Sequence, residues 1–290
     1  MNTQEMMTTD VPFRWNLAAK SQLGRLVDDK YDLDTEILGH VRECAANIVS
    51  HLNPSYVVFV GRSLESIQVY LDGVLKDTFL SDSLINLNIS LFNHSISMIR
   101  AKGEMYVVAL KNHFANIGLH PQAILERSNF TSFVDVVLEG STFGRIYKFL
   151  VEWAKEERVD VPAVKKKLRF IGIISRSKSS PNAWRWNDHV DWVGEIPGSV
   201  KNIAVELWFW RYLGEVQDKM TNSITLDKWL SPTILSPVHE KDNIKALNQA
   251  YSIYCLGLDK RERKVFSKAV AKLNLQSRFH RKLILEVKGL

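Results

Sequence analysis

Four short apolar runs recur along this chain: Tyr56-Val-Val-Phe-Val60, Glu104-Met-Tyr-Val-Val-Ala-Leu110, Phe133-Val-Asp-Val-Val-Leu138 and Leu168-Arg-Phe-Ile-Gly-Ile-Ile174. They are rich in β-branched and aromatic residues and lack the polar alternation of a strand with one wet face, which marks strands buried on both sides. Helix-length segments separate most of them. Residues 33–52 carry Ile37, Val41, Ala45, Ile48 and Val49 at three- and four-residue steps. Residues 64–75 set Ile67, Tyr70, Leu71 and Val74 on one face, and residues 145–155 form a third helix. The pattern predicts an α/β fold, a mainly parallel, Rossmann-like sheet with helices on both faces.

After Ser175 the character changes. Ser177-Lys-Ser-Ser-Pro-Asn182 precedes a tryptophan-crowded stretch, Trp184-Arg-Trp-Asn-Asp-His-Val-Asp-Trp192, and residues 200–212 read as a strongly apolar helix. Helical spacing returns over 242–256, 259–273 and 275–287, with Asp242 and Asp259 as expected N-caps. The expected organisation is a flexible or peripheral segment over 1–30, an α/β core over 31–176, and a Trp-rich hood with a helical C-terminal extension over 177–290. No internal repeat or long linker divides the chain.

Composition narrows the function classes. A signal peptide's basic and apolar regions are missing from the first dozen residues, and no apolar run reaches membrane-spanning length. Cys44 and Cys255 stand far apart without metal-ligand spacing, which suits two reduced thiols in a cytoplasmic protein. The 38 Lys and Arg exceed the 32 Asp and Glu by a formal +6. Without a basic face interleaved with aromatics, that excess argues for a phosphorylated small molecule over nucleic acid.

Ligands of open parallel sheets collect beyond the carboxyl ends of the strands. Two loops sit there: Gly61-Arg-Ser-Leu-Glu65 after the first run and Glu139-Gly-Ser-Thr-Phe-Gly-Arg145 after the third. Glycines let the backbone approach a ligand, and the amides opening a helix attract phosphate. In the second loop, Gly140 to Gly144 would hold a phosphate while Glu139 bonds vicinal sugar hydroxyls.

This second loop resembles the sugar-phosphate loop of type I phosphoribosyltransferases: an apolar strand, two acids, two loose positions, Thr, a small residue, Gly and Thr. Glu139 takes the second acid, Thr142 the threonine and Gly144 the glycine; Leu138 replaces the first acid and Arg145 the last threonine. Val57-Val-Phe-Val-Gly-Arg-Ser63 is similar to the first strand and pyrophosphate loop of that family. The resemblance spans roughly residues 52–175. It implies Mg²⁺-dependent transfer, or its reverse, at the anomeric carbon of a ribose 5-phosphate such as phosphoribosyl pyrophosphate. Glu139 and Arg62 would be the catalytic residues. Gly61, Ser63, Gly140, Ser141, Thr142, Phe143, Gly144, Arg145 and Lys111 would hold substrate, with magnesium on the substrate's own oxygens. Trp184, Trp186 and His189 would line an acceptor pocket, and a homodimer is the family expectation. Loss of the first acid keeps a second reading open, a ligand sensor or regulator without turnover; a third is another α/β enzyme of a phosphorylated ligand.

Competing readings attach to the same residues. Gly140-Ser-Thr-Phe-Gly144 has the spacing of a nucleophile elbow, but threonine crowds that turn and only Asp188 and His189 offer partners. His113 and His120 lack a third metal ligand. The tryptophans equally suit packing of a tail onto the core. Asp135 reads as a strand residue facing a helix, and Glu65 as a first-turn helix carboxylate.

Overall fold

The computed structural model describes residues 12–27, 32–91, 94–178, 185–273 and 277–289. In chain order the elements are α1 (Lys20–Leu23), α2 (Thr35–His51), β1 (Ser55–Val60), α3 (Glu65–Val74), β2 (Leu84–Leu87), α4 (Ile96–Lys102), α5 (Glu104–Asn116), α6 (Pro121–Glu126) and β3 (Phe130–Val136). There follow α7 (Ser141–Glu156), α8 (Val161–Lys167), β4 (Leu168–Ser175), β5 (Val200–Val205), α9 (Leu207–Arg211), α10 (Lys241–Leu258), α11 (Lys260–Leu273) and α12 (Arg278–Gly289). The strands form one all-parallel sheet in the order β2-β1-β3-β4-β5.

Both sheet faces are covered, which is why the strands read as unbroken apolar runs. Val57 and Phe59 of β1, Val134 of β3 and Ile171 and Ile173 of β4 pack on α2, α3, α10, α11 and α12. Their alternates, Val58, Val60, Phe133, Phe170 and Ile174, face α4 to α8 and the buried Trp186 and Trp192. The period of two along each strand sends successive side chains into different cores.

Three expectations are corrected. Residues 104–110 form the first half of α5, not a strand; Val107, Leu110 and Phe114 are its buried side at helical spacing, a period the seven-residue run alone is too short to display. Residues 200–212 are not one helix: β5 adds a fifth strand, and α9 begins only at Leu207. β5 is an edge strand with Lys201 exposed, a placement that guards against edge pairing. The sheet therefore continues past residue 176, and the expected core boundary falls between β4 and β5. The short strand β2, with Asn86 in its middle, carried no signal of its own.

The terminal segments are built into the same body. Trp15, Leu17 and Leu23 are core residues, and Arg14 pairs with Asp72 at 2.8 Å, so residues 12–27 are not peripheral. Helices α3 and α10 cross backbone to backbone: a Cβ on Gly73 would lie 2.3 Å from the Tyr254 carbonyl oxygen, and one on Gly257 2.8 Å from that of Tyr70. Asp259 caps α11 as expected, accepting from the amides of Arg261 at 2.8 Å and Glu262 at 3.0 Å. Asp242 does not cap; α10 starts one residue earlier, behind Glu240.

Candidate functional site

Strand order fixes where the loops go. β1 and β3 are adjacent and parallel, with Phe59 opposite Val134, so both chains leave the sheet at the same edge. From β1 the chain turns to α3 on one face; from β3 it turns to α7 on the other. A crevice opens where neighbouring connections diverge in this way. Gly61 to Ser63 and Glu139 to Arg145 are thereby brought to one edge, as the sequence predicted.

Beneath the first loop lies a group of buried ionisable side chains. Residues 217–222 run across it as a strap. Met220 donates its amide to Glu65 Oε2 at 2.9 Å, and the Thr221 hydroxyl donates to Glu65 Oε1 at 2.7 Å. Arg62 Nη1 donates to the Thr221 carbonyl at 2.7 Å, and Gln217 Nε2 to the Ser63 carbonyl at 2.5 Å. Lys219 Nζ reaches back to the Leu213 carbonyl at 2.9 Å, within a π-helical turn over Tyr212–Val216. Asp135 is buried at the end of β3, opposite Gly172, and accepts at 2.8 Å from the Val136 amide.

Burial controls the charge of this group. It pushes the Asp135 carboxyl up to about 8, against smaller opposing effects from the Val136 amide and Lys219. It holds Lys219 down to about 7, although Glu65 and Asp135 pull the other way. Glu65 is also pushed up by burial, offset in part by its bonds from Thr221 and Met220. Near neutral pH Asp135 is thus mostly a neutral acid and Lys219 is only partly protonated, and shifted groups of this kind are common at proton-transfer sites.

The second loop opens α7. Gly140 adopts φ +72°, and the amides of Ser141, Thr142 and Phe143 donate to no described residue. These first-turn amides and the positive end of a helix spanning Ser141–Glu156 make an anion-seeking surface. Ser141 and Glu139 are exposed, and Glu139 makes no hydrogen bond or ion pair to a described residue. Next to this turn a cleft of about 410 Å³ is lined by Gly140, Ser141, Gly144, Arg145 and Lys148.

Other expected residues are spoken for. A Cβ on Gly140 would lie 2.1 Å from Trp186 Cε3, and one on Gly144 3.0 Å from Trp192 Nε1, so both glycines admit tryptophan rings against the loop. Phe143 is buried in the core, 5.2 Å from the Phe170 ring. Arg145 Nη1 donates to the Leu91 carbonyl at 2.5 Å. Trp186 is buried, its Nε1 donating to Asn202 Oδ1 at 2.9 Å, so its ring packs beneath the loop and offers no open stacking face. His189 is exposed, and Trp184 lies outside the described residues.

Lys111 is not at the site. It projects from α5 to Glu156 at 2.7 Å, the last residue of α7, whereas the loop sits at that helix's first turn. Sixteen helical residues put the two ends roughly 22 Å apart. The placement follows from residues 104–110 being helix: Lys111 continues α5 instead of ending a strand.

Reading the sequence missed Lys219, Thr221 and Gln217, and gave Asp135 and Glu65 only packing roles. Asp135 carried a usable signal, since an acid within Phe133-Val-Asp-Val-Val needs a reason to be buried. The strap had none; it is assembled from a stretch without regular period. No group of three or more His, Cys, Asp or Glu among the described residues could hold a metal ion, and no described helix is long and apolar enough to cross a membrane. Compared with known protein families, curated protein sequences and solved structures, the chain matches none.

Proposed function

We propose that this protein binds a phosphorylated ribose of the phosphoribosyl pyrophosphate class at the shared edge of β1 and β3, and acts on its anomeric carbon. One observation carries the reading: the strand order sets the Gly61 to Ser63 loop and the α7 first turn side by side at the switch point. The 5-phosphate takes the free amides of Ser141 to Phe143 and the exposed Ser141 hydroxyl. Glu139 meets the ribose hydroxyls, and the diphosphate lies over Gly61 to Ser63. Arg62 spends Nη1 on Thr221 but keeps further N–H groups for the diphosphate.

Positioning and charge stabilisation supply the rate in such a transfer. Magnesium carried on the substrate's own diphosphate oxygens would add to that charge stabilisation. The resemblance to type I phosphoribosyltransferases supports the same reading, and a doubly wound, Rossmann-like arrangement goes with it. Asp135 and Lys219 beneath the loops are the groups able to exchange a proton near neutral pH.

A second reading has its own observation. The rings of Trp186 and Trp192 close against Gly140 and Gly144, and Leu138 stands exposed where an acid would be expected. That favours a sensor which binds the phosphosugar and does not turn it over. Thermal shift with phosphoribosyl pyrophosphate and Mg²⁺, followed by assay of its consumption on adding free bases, separates the two. A raised melting temperature with consumption supports the enzyme, and the same shift without consumption supports the sensor. No shift with any phosphosugar, or normal binding and turnover by Glu139→Ala, defeats the site assignment.

A further inference from the structure

Away from that edge, a cavity of about 540 Å³ lies between α5 and residues 224–235. Its size falls within the range that holds small organic ligands, roughly 300–1,000 Å³. No charged side chain lines it. Met105 and Val108 project from α5, and Ile224, Trp229, Leu230 and Leu235 form the facing wall. Water-exposed apolar side chains of this size are clustered here: Met105 is 61% exposed, Val108 46%, Leu230 43% and Leu235 41%.

The facing wall is held in place. Ser90 donates its amide to the Ile224 carbonyl at 2.9 Å, Trp229 Nε1 reaches that same carbonyl at 3.4 Å, and Phe13 donates to the Ile234 carbonyl at 2.6 Å. A concavity with fixed walls suits a small molecule better than a helix or strand of a partner, which needs an open groove.

Three polar side chains, Asn112, His113 and Ser231, interrupt the apolar lining. His113 bonds through its ring to the backbone carbonyl of Asn88, which makes that nitrogen the N–H. The other, Nε2, is buried and has no partner. Burial holds the imidazole down to about 4, so at neutral pH Nε2 is a lone pair. A buried acceptor left unpaired costs free energy that a ligand's donor would recover.

We propose that this cavity binds a flat apolar molecule carrying a single O–H or N–H donor, its body against Met105, Val108, Trp229 and Leu230 and its donor on His113 Nε2. The proposal does not depend on the phosphosugar reading. It would take phenolic, indolic or similar compounds.

The test uses the full chain with two isosteric probes, 1-naphthol and 1-methylnaphthalene, titrated by calorimetry. 1-Naphthol should bind about fivefold more tightly, the value of roughly one net hydrogen bond, and should move the His113 Nε2 resonance in nitrogen-15 spectra. His113→Phe should erase the preference while keeping the hydrocarbon's affinity, and His113→Gln, with an amide oxygen as acceptor, should restore part of it. Leu230→Glu should weaken both probes. Failure of both probes to bind, equal affinities in the unaltered protein, or binding that survives Leu230→Glu would overturn the proposal.

Discussion

The Thr221 hydroxyl donates to Glu65 Oε1 at 2.7 Å, and both residues are buried. This bond and the Met220 amide on Glu65 Oε2 fasten a strap more than 150 residues away in sequence to the first turn of α3. Breaking one side of a buried, charge-assisted pair leaves a polar group unsatisfied, so Thr221→Val should cost about 1–3 kcal/mol and Glu65→Ala somewhat more. A double-mutant cycle by urea unfolding should give a coupling of about 1 kcal/mol or more. Strictly additive effects would show that the strap is not energetically tied to Glu65.

The shifted groups of the site also set a pH dependence. Burial raises Asp135 to about 8, against about 3.9 in an unfolded chain. The folded state therefore binds the extra proton across that interval, and stability falls as pH rises from about 4 to about 8. Lys219 runs the other way: held down to about 7 against about 10.4 unfolded, it binds its proton better in the unfolded chain, so stability rises from about pH 7 to 10. Urea unfolding at pH 5 to 10 should show Asp135→Asn flattening the falling limb and Lys219→Met the rising one. An Asp135→Asn profile parallel to the unaltered protein between pH 5 and 8 would refute a buried, neutral Asp135.

The fold was legible where period and length agreed. Residues 33–52 and 64–75 repeat their apolar positions for several turns, and β1, β3 and β4 are unbroken because both sheet faces are covered. Residues 104–110 failed because the six apolar residues after Glu104 fit a strand or a helix equally, and only Phe114, beyond the run, extends the helical face. β5 was hidden by its continuation into Leu207–Arg211, which joined a strand and a helix in one apolar stretch. Of the site, the loops were visible because glycines next to strands mark backbone needs. Lys219 was not, since its meaning depends on being carried over Glu65 and Asp135 by tertiary contacts.

Gly140 tests whether the second loop depends on the tryptophan below it. Its φ of +72° strains any L side chain, and a Cβ would lie 2.1 Å from Trp186 Cε3. Gly140→Ala should destabilise by about 2–4 kcal/mol, of which the backbone accounts for about 1. Adding Trp186→Ala should recover part of the clash but not the strain. Denaturation midpoints of the single and double variants measure this, and a double variant that is simply additive would show that the ring moves aside without cost.

Glu262 joins the C-terminal helices to the sheet layers. It is buried, and it accepts from Arg42 Nε at 2.5 Å, from Arg42 Nη2 at 2.8 Å and from the Tyr70 hydroxyl at 2.6 Å, so one carboxylate links α2, α3 and α11. The bidentate bond holds Arg42 above its ordinary range, with burial opposing. Removing the acid strands a partly buried guanidinium and an unpaired phenol, and Glu262→Ala should cost about 3–5 kcal/mol. Glu262→Gln keeps one acceptor and should cost less, while Arg42→Met with Glu262→Leu, which removes both charges, should be milder than Glu262→Ala alone. Hydrogen exchange should then show early opening of α11 in Glu262→Ala, because its polar attachment to α2 and α3 runs through this residue and the neighbouring Arg263, whose Nη2 donates to the Gly73 carbonyl at 3.0 Å. Protection of α11 unchanged in that variant would mean that the apolar contacts of Phe266 and Val270, with the Arg263 bond to Gly73, suffice to hold α11 in place.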